Sequence, residues 1–180
     1  MLEIDPAIRD LLAGSLALIF GASGVMKIRD LEMFEGSVAN YQLLPVSLEK
    51  LFAYLLPILE FACAIGLMAS ATRGAAALGL LMLLVIFSGA IGINLMRGRT
   101  NIDCGCFGPL LRQELSGWLL LRNVFLMILA AAILLPENGR LIEPLDLVTI
   151  VLGAATLLVL YASANFAIGN APKTRALETY

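Results

Sequence analysis

Two cysteines separated by one glycine form the most chemically distinctive part of the sequence. Cys104 and Cys106 lie in the stretch NIDCGCFGPLLRQ, residues 101–113, of a chain that has three cysteines and no histidine. Two trans peptide steps separate their Cα atoms by about 5.5–7 Å, which overlaps the range of about 4.4–6.8 Å seen in disulfides. The spacing therefore allows a Cys104–Cys106 disulfide, closed through Gly105, a residue type that adopts unusual dihedral angles at little cost.

Such a pair is predicted to be redox-active. Strained, exposed disulfides are the labile and catalytic ones, and the small Cys-Gly-Cys ring is of that kind. Nearby Arg97, Arg99 and Arg112 favour thiolate over thiol and would lower the pKa of both cysteines. An inert structural disulfide and a pair of reduced thiols remain as alternatives.

A metal site is not expected. A structural zinc site usually takes four cysteine or histidine ligands, and only Cys63 remains outside the pair. Histidine-ligated haem is excluded because the chain has no histidine. Cys63 lies about 18 Å from the pair at the rise of a helix, and it is predicted to be an unreactive buried thiol.

The elements that carry this loop are membrane helices. The 180 residues are 60% hydrophobic and 14% charged, whereas soluble domains are about a quarter charged. A span of about 20 apolar residues crosses a bilayer. The sequence predicts an all-α membrane protein with one transmembrane domain, residues 1–180, surrounded by lipid and without a nucleic-acid partner. The predicted helices are about 8–28, 51–71, 74–96, 116–135 and 145–169, with turns at 72–73 and 136–144 and a redox loop at 97–115.

Several polar residues are predicted inside the membrane near the cysteine pair. Arg122 and Glu60 fall about 9 and 14 Å below the loop, and a lone arginine at mid-membrane costs about 2.5–3.5 kcal/mol, so the two are expected to pair. Lys27, Asn94 and Asn123 lie toward the same end. The group either fixes helix packing, or forms a polar pocket that tunes the thiols or holds a quinone headgroup. No other cofactor is expected.

The segment 27–50 between the first two predicted spans mixes polar and apolar residues. Phe34, Val38, Tyr41 and Leu44 recur at helical spacing. This pattern is typical of a helix in the interface plane, although a solvated loop has much the same composition.

The distribution of basic residues predicts an orientation. The cysteine loop follows the third of five predicted spans, so two spans separate it from the carboxyl tail and both lie on the same side of the membrane. Basic residues favour the cytoplasm, and the cysteine side carries eight of them against three on the other side. The eight are Lys27, Arg29, Lys50, Arg97, Arg99, Arg112, Lys173 and Arg175, and the three are Arg9, Arg73 and Arg140. The charge pattern by itself thus predicts a cytoplasmic cysteine loop.

Four stretches of the sequence resemble the MauE family of methylamine utilisation membrane proteins, within the wider MauE/DoxX group. They are RGRTNIDCGCFG, LSGWLLLRNVFL, FGASGVMKI and LLPILEFACAIGL. The Cys-Gly-Cys-Phe-Gly run and the later Arg-Asn pair are the most specific parts of the resemblance, which covers the first four predicted helices.

The resemblance implies a function in maturing methylamine dehydrogenase, a periplasmic enzyme whose small subunit is rich in disulfides. It also implies a location in the bacterial inner membrane and a thioredoxin-like periplasmic partner, MauD. Disulfides persist in the periplasm, so this function favours a periplasmic cysteine loop, against the charge pattern. The alternative function is a membrane scaffold or small transporter whose Cys-Gly-Cys loop is only structural.

Overall fold

The described part of the chain is a bundle of six helices. The computed structural model describes residues 3–105 and 113–178, with side chains up to residue 168. Cys106 and Arg112 lie outside the described residues. The helices are α1 (Pro6–Arg29), α2 (Leu31–Tyr41), α3 (Val46–Met68), α4 (Ser70–Met96), α5 (Gly117–Ala132) and α6 (Pro144–Glu178). The all-α prediction is confirmed.

Four helices are long and apolar enough to cross a membrane. They are α1, α3, α4 and the part of α6 from Pro144 to Ile168. The fifth, α5, has 16 residues, about 24 Å at a rise of 1.5 Å per residue, which is short of a hydrocarbon core of about 30 Å. It nevertheless runs from the cysteine loop to the opposite end, where the carbonyl of Ile133 accepts a hydrogen bond from Arg9 Nε at 2.9 Å.

Ion pairs hold together the end of the bundle opposite Cys104. Arg9 pairs with Glu137, Arg73 Nη1 lies 2.5 Å from Asp10 Oδ1, and Arg140 Nε lies 3.0 Å from Asp5 Oδ2. The amino terminus, the start of α4 and the connection from α5 to α6 therefore share one end, as the five-span topology predicts.

The predicted turn at 72–73 is wrong. The chain leaves helical geometry only at Ala69, between α3 and α4, and both polar residues of the predicted turn lie in the first turn of α4. Thr72 Oγ1 donates to the carbonyl of Gly66 at 2.8 Å, and Arg73 Nε donates to that of Leu67 at 3.1 Å. These side chains thus donate hydrogen bonds to the last carbonyls of α3, which have no donor within their own helix.

The segment after the first span forms α2, a helix of 11 residues. The carboxylate of Asp30 accepts a hydrogen bond from the amide of Met33 at 3.3 Å and caps its start. Gln42, in left-handed conformation, ends it. The helix packs against α3, and its Phe34 and Ser37 are buried. Of the two predictions for this segment, the helix is therefore confirmed.

Small residues let the helices approach closely. A Cβ atom on Gly24 would lie 3.2 Å from the carbonyl oxygen of Pro57, where α1 meets α3. A Cβ on Gly66 would lie 2.9 Å from the Cβ of Ala76, where α3 meets α4. Close backbone approach through small residues is the usual packing mode of membrane helices, because lipid is as apolar as the side chains themselves.

Gly66→Ala should therefore destabilise the bundle. The new methyl group meets Ala76 Cβ at 2.9 Å, and neither atom can rotate away, so α3 and α4 must separate at a cost of about 1–3 kcal/mol. The control is Gly92→Ala in α4, whose Cβ would meet nothing within 4 Å. Melting temperature in detergent should fall for the first variant and hold for the second. Equal melting temperatures would contradict the close packing.

Candidate functional site

Cys104 lies in a loop whose two arms are paired through their backbones. Its amide donates to the carbonyl of Gln113 at 2.8 Å, and Asp103 lies opposite Glu114 in an antiparallel bridge. Cys104 is disulfide-bonded and only 8% exposed. Cys106, its predicted partner, lies outside the described residues. Cys104 is therefore less accessible than the exposed disulfide that the sequence predicts, because apolar side chains of α4 and α5 pack around it.

Gly105 brings the loop against α2. Its φ is +69°, and a Cβ there would lie 3.0 Å from Ser37 Cβ, so both the backbone conformation and the space require glycine. The carboxylate of Asp103 accepts hydrogen bonds from the amides of Gly105 at 3.2 Å and Gln113 at 3.3 Å. One side chain thus accepts hydrogen bonds from both described arms of the loop.

Tyr41 joins α2 to the cysteine backbone. Its hydroxyl donates to the carbonyl of Cys104 at 3.4 Å. Burial raises the pKa of Tyr41, and the negative charge of Asp103 raises it further, so the hydroxyl stays a proton donor. Helical spacing in the sequence places Tyr41 on one face of a helix and does not predict its contact with the cysteine loop.

Gln113 fastens the loop to α6. Its side-chain amide donates to the carbonyl of Asn165 at 2.6 Å, and the Asn165 side chain accepts from Arg122 Nη1 at 3.2 Å. Both Gln113 and Asn165 are buried, and neither was among the predicted site residues. Asn165 could have been found from sequence, since a polar amide within an apolar span usually faces the bundle interior.

A buried ion pair joins α1 and α3. Lys27 Nζ lies 2.5 Å from Glu60 Oε1, and both side chains are no more than 3% exposed. The other carboxylate oxygen accepts from Ser23 Oγ at 3.2 Å. The ammonium also lies 5.2 Å from the ring centroid of Phe34 and 5.0 Å from that of Phe87, within the range of cation–π attraction.

The predicted partner of Glu60 is therefore corrected from Arg122 to Lys27. Arg122 donates instead to the side chains of Asn165 and, at 3.3 Å, Asn123. The sequence supplied only the depth of Glu60 and Arg122 along their helices. It did not show that Lys27 of α1 points toward Glu60.

Four of the five predicted supporting residues nevertheless surround one small pocket. Lys27, Glu60, Arg122 and Asn123 line a space of about 30 Å³, enough for a water molecule. Asn94 is not among its lining residues. Its amide donates to the carbonyl of Ala90 in its own helix at 3.1 Å, and its Oδ1 is buried without a hydrogen-bond partner in the described part of the chain.

A larger cavity, of about 330 Å³, lies beside the cysteine loop. Cys104 and Lys27 both form part of its wall, and the remaining lining comes mainly from apolar residues of α2, α3 and α4. Cys63, by contrast, is a free thiol that packs against the main hydrophobic core. It is half-buried, where the sequence predicts a buried thiol, and its lack of reactivity stays a prediction.

Breaking the Lys27–Glu60 pair from one side should be costly. Lys27→Leu leaves a carboxylate buried without its cation, a loss of about 3–5 kcal/mol, and Glu60→Leu in the same chain should restore most of it. The matched control is Arg122→Leu with Glu60→Leu, which strands Lys27 and should stay destabilised. Melting temperature in detergent reports both. Recovery by the control instead of the first double variant would identify Arg122 as the partner.

Comparison with known proteins identifies the family. Residues 6–136 match the family model "Methylamine utilisation protein MauE". The chain is 37% identical to the methylamine utilization protein MauE of Paracoccus denitrificans over 177 residues, 98% of this chain and 95% of the relative. It is 40% identical to that of Paracoccus versutus, over 93% of this chain and 90% of the relative. No solved structure matches the chain. This multi-pass membrane bundle therefore belongs to the MauE family of methylamine utilisation proteins.

Proposed function

We propose that the protein is a thiol–disulfide redox protein of the bacterial inner membrane. It supports disulfide formation in the methylamine dehydrogenase small subunit, together with a thioredoxin-like periplasmic partner similar to MauD. The observation that carries this proposal is the disulfide-bonded Cys104, held at one end of the bundle in a loop fixed to α2 through Tyr41 and to α6 through Gln113. Membership of the MauE family supports the link to methylamine utilisation.

The backbone contacts of the loop favour a redox disulfide over a structural one. The amides of Cys104 and Leu115 bond to carbonyls of the opposite arm, and Asp103 bridges both arms through hydrogen bonds. A cross-link between two cysteines with a single residue between them adds little stability to a loop that these bonds already close, because disulfide stabilisation falls as the closed loop shortens. This argues against the scaffold alternative, in which the pair only pins the loop.

The proposed reaction is thiol–disulfide exchange. A thiolate of the partner attacks one sulfur of the Cys104–Cys106 disulfide, the S–S bond breaks, and a mixed disulfide forms. The second partner thiolate then attacks that mixed disulfide, which leaves the partner oxidised and both cysteines as thiols. Since Cys104 is buried, we expect attack at Cys106, with Cys104 as the leaving sulfur.

The proposed orientation places the cysteine loop on the periplasmic side. The client and the partner are periplasmic, and disulfides persist there. One of the eight basic residues that argued for the cytoplasm, Lys27, is buried in the bundle and neutralised by Glu60, so it is not a loop charge in the sense of the positive-inside rule.

Cys104→Ser and Cys106→Ser should each abolish disulfide formation in the client while the protein still inserts and folds. The hydroxyl is close in size to the thiol but cannot exchange. The matched control is Cys63→Ser, whose free thiol packs between helices and should leave the yield of oxidised small subunit unchanged. The measurement is that yield in periplasmic extracts, alongside membrane insertion. Normal client oxidation in the double variant Cys104→Ser with Cys106→Ser would overturn the redox proposal.

Labelling should establish the orientation. In a chain whose three cysteines are replaced, Asn101→Cys presents an exposed thiol at the cysteine end, and Leu141→Cys, at a position 85% exposed, presents one at the opposite end. A membrane-impermeant maleimide should label the first in intact cells and the second only after the inner membrane is opened. The reverse pattern would place the loop in the cytoplasm.

A further inference from the structure

The cavity beside Cys104 lies between α2 and α4, with α3 as its third wall. Phe34 and Tyr41 of α2, Phe52 of α3 and Phe87 of α4 contribute aromatic rings to its lining. Its volume of about 330 Å³ is at the lower end of the range for small-molecule sites, about 300–1,000 Å³.

This cavity opens toward the lipid. Val85 and Ile86 line it, yet they are 59% and 53% exposed on the outer face of α4. That face belongs to a helix long and apolar enough to cross the membrane. A ligand can therefore enter sideways from the bilayer, and an apolar tail can stay in lipid while the head occupies the cavity.

Besides Cys104, the polar side chains in the wall are hydrogen-bond donors, namely Lys27, Ser37 and Tyr41. Lys27 carries three N–H donors, of which one serves Glu60 at 2.5 Å. The hydroxyl of Tyr41 donates to the Cys104 carbonyl at a long 3.4 Å, and that of Ser37 to Met33 at 3.1 Å. Because Glu60 neutralises the ammonium, the wall is suited to a neutral acceptor and not to a phosphate anion.

We infer that the cavity binds the headgroup of a lipid-soluble quinone, which reoxidises the cysteine pair. A quinone is a flat, neutral ring with two carbonyl acceptors and an apolar tail, and it matches the aromatic lining, the donors and the opening toward lipid. An acyl chain has no acceptor for Lys27 or Tyr41. The inference rests on the proposed function, since the quinone is the oxidant that each round of client oxidation consumes.

The step balances as a two-electron transfer. The thiols of Cys104 and Cys106 release two protons and two electrons as their S–S bond forms. The two quinone carbonyl oxygens take up those protons and electrons, which gives the quinol. Cys104 forms part of the cavity wall, so we assign it the contact with the quinone ring.

The test uses the purified full chain in lipid nanodiscs, reduced, freed of reductant and kept without oxygen. A short-tailed ubiquinone analogue is added, and loss of quinone absorbance is followed together with free thiols. One quinone should be reduced for each disulfide formed. Gly89→Leu fills the cavity from α4, where a Cβ meets nothing within 4 Å, and should slow the reaction at least tenfold at low quinone concentration.

The matched control is Gly92→Leu, one helical turn away. Its Cβ also meets nothing within 4 Å, and Gly92 is not among the cavity residues, so its rate should equal that of the parent. An equal rate in Gly89→Leu would place the reaction elsewhere and overturn the inference.

A binding measurement keeps this inference separate from the proposed function. In the variant Cys104→Ser with Cys106→Ser, the same quinone analogue should still raise the melting temperature, because a ligand that binds only the folded state stabilises it, and Gly89→Leu should remove that shift. Exchange between the parent and a reduced thioredoxin is assayed in parallel. Exchange without quinone reduction or a thermal shift would refute the quinone site alone, whereas a thermal shift without exchange would support the site and refute the proposed function.

Discussion

The buried ion pair of Lys27 and Glu60 is the constraint around which the cysteine end of the bundle is arranged. Two charges with almost no exposure are tolerated inside an apolar bundle only when they neutralise each other and their remaining groups find partners. Ser23 donates a hydrogen bond to the Glu60 carboxylate, and the rings of Phe34 and Phe87 lie against the Lys27 ammonium. The pair thereby fixes α1 against α3 and also leaves a neutralised donor in the wall of the cavity that Cys104 shares.

The cysteine loop depends on contacts from helices far apart in the chain. Tyr41 of α2 bonds to the Cys104 carbonyl, Ser37 of the same helix leaves room only for glycine at position 105, and Gln113 reaches the backbone of α6. A loop held in this way keeps its sulfur in one place relative to the cavity. Such fixed positioning is what a redox centre requires if it exchanges with a protein on one side and an oxidant in the membrane on the other.

The two proposals assign the disulfide two different reaction partners, a protein thiol and a quinone. In the first proposal, thiol exchange takes place at the end of the bundle and transfers electrons from the client through a thioredoxin-like protein. In the second, reoxidation takes place at the cavity, which is lined by exposed residues of α4. Membership of the MauE family links this arrangement to methylamine utilisation.

Composition and hydropathy by themselves determined the membrane bundle, because long apolar runs in a chain 14% charged can be buried only in lipid. Spacing alone also identified the cysteine pair and the polar residues beneath it, since a charge within a span is costly wherever the helix lies. The tertiary structure decided the rest. Glu60 pairs with Lys27. Residues 72–73, predicted as a turn, lie in α4 and donate hydrogen bonds to the last carbonyls of α3. Burial of Cys104 against α4 and α5, and its place in the wall of a cavity, depend on how the helices rotate and pack against one another, which periodicity within a single helix does not specify.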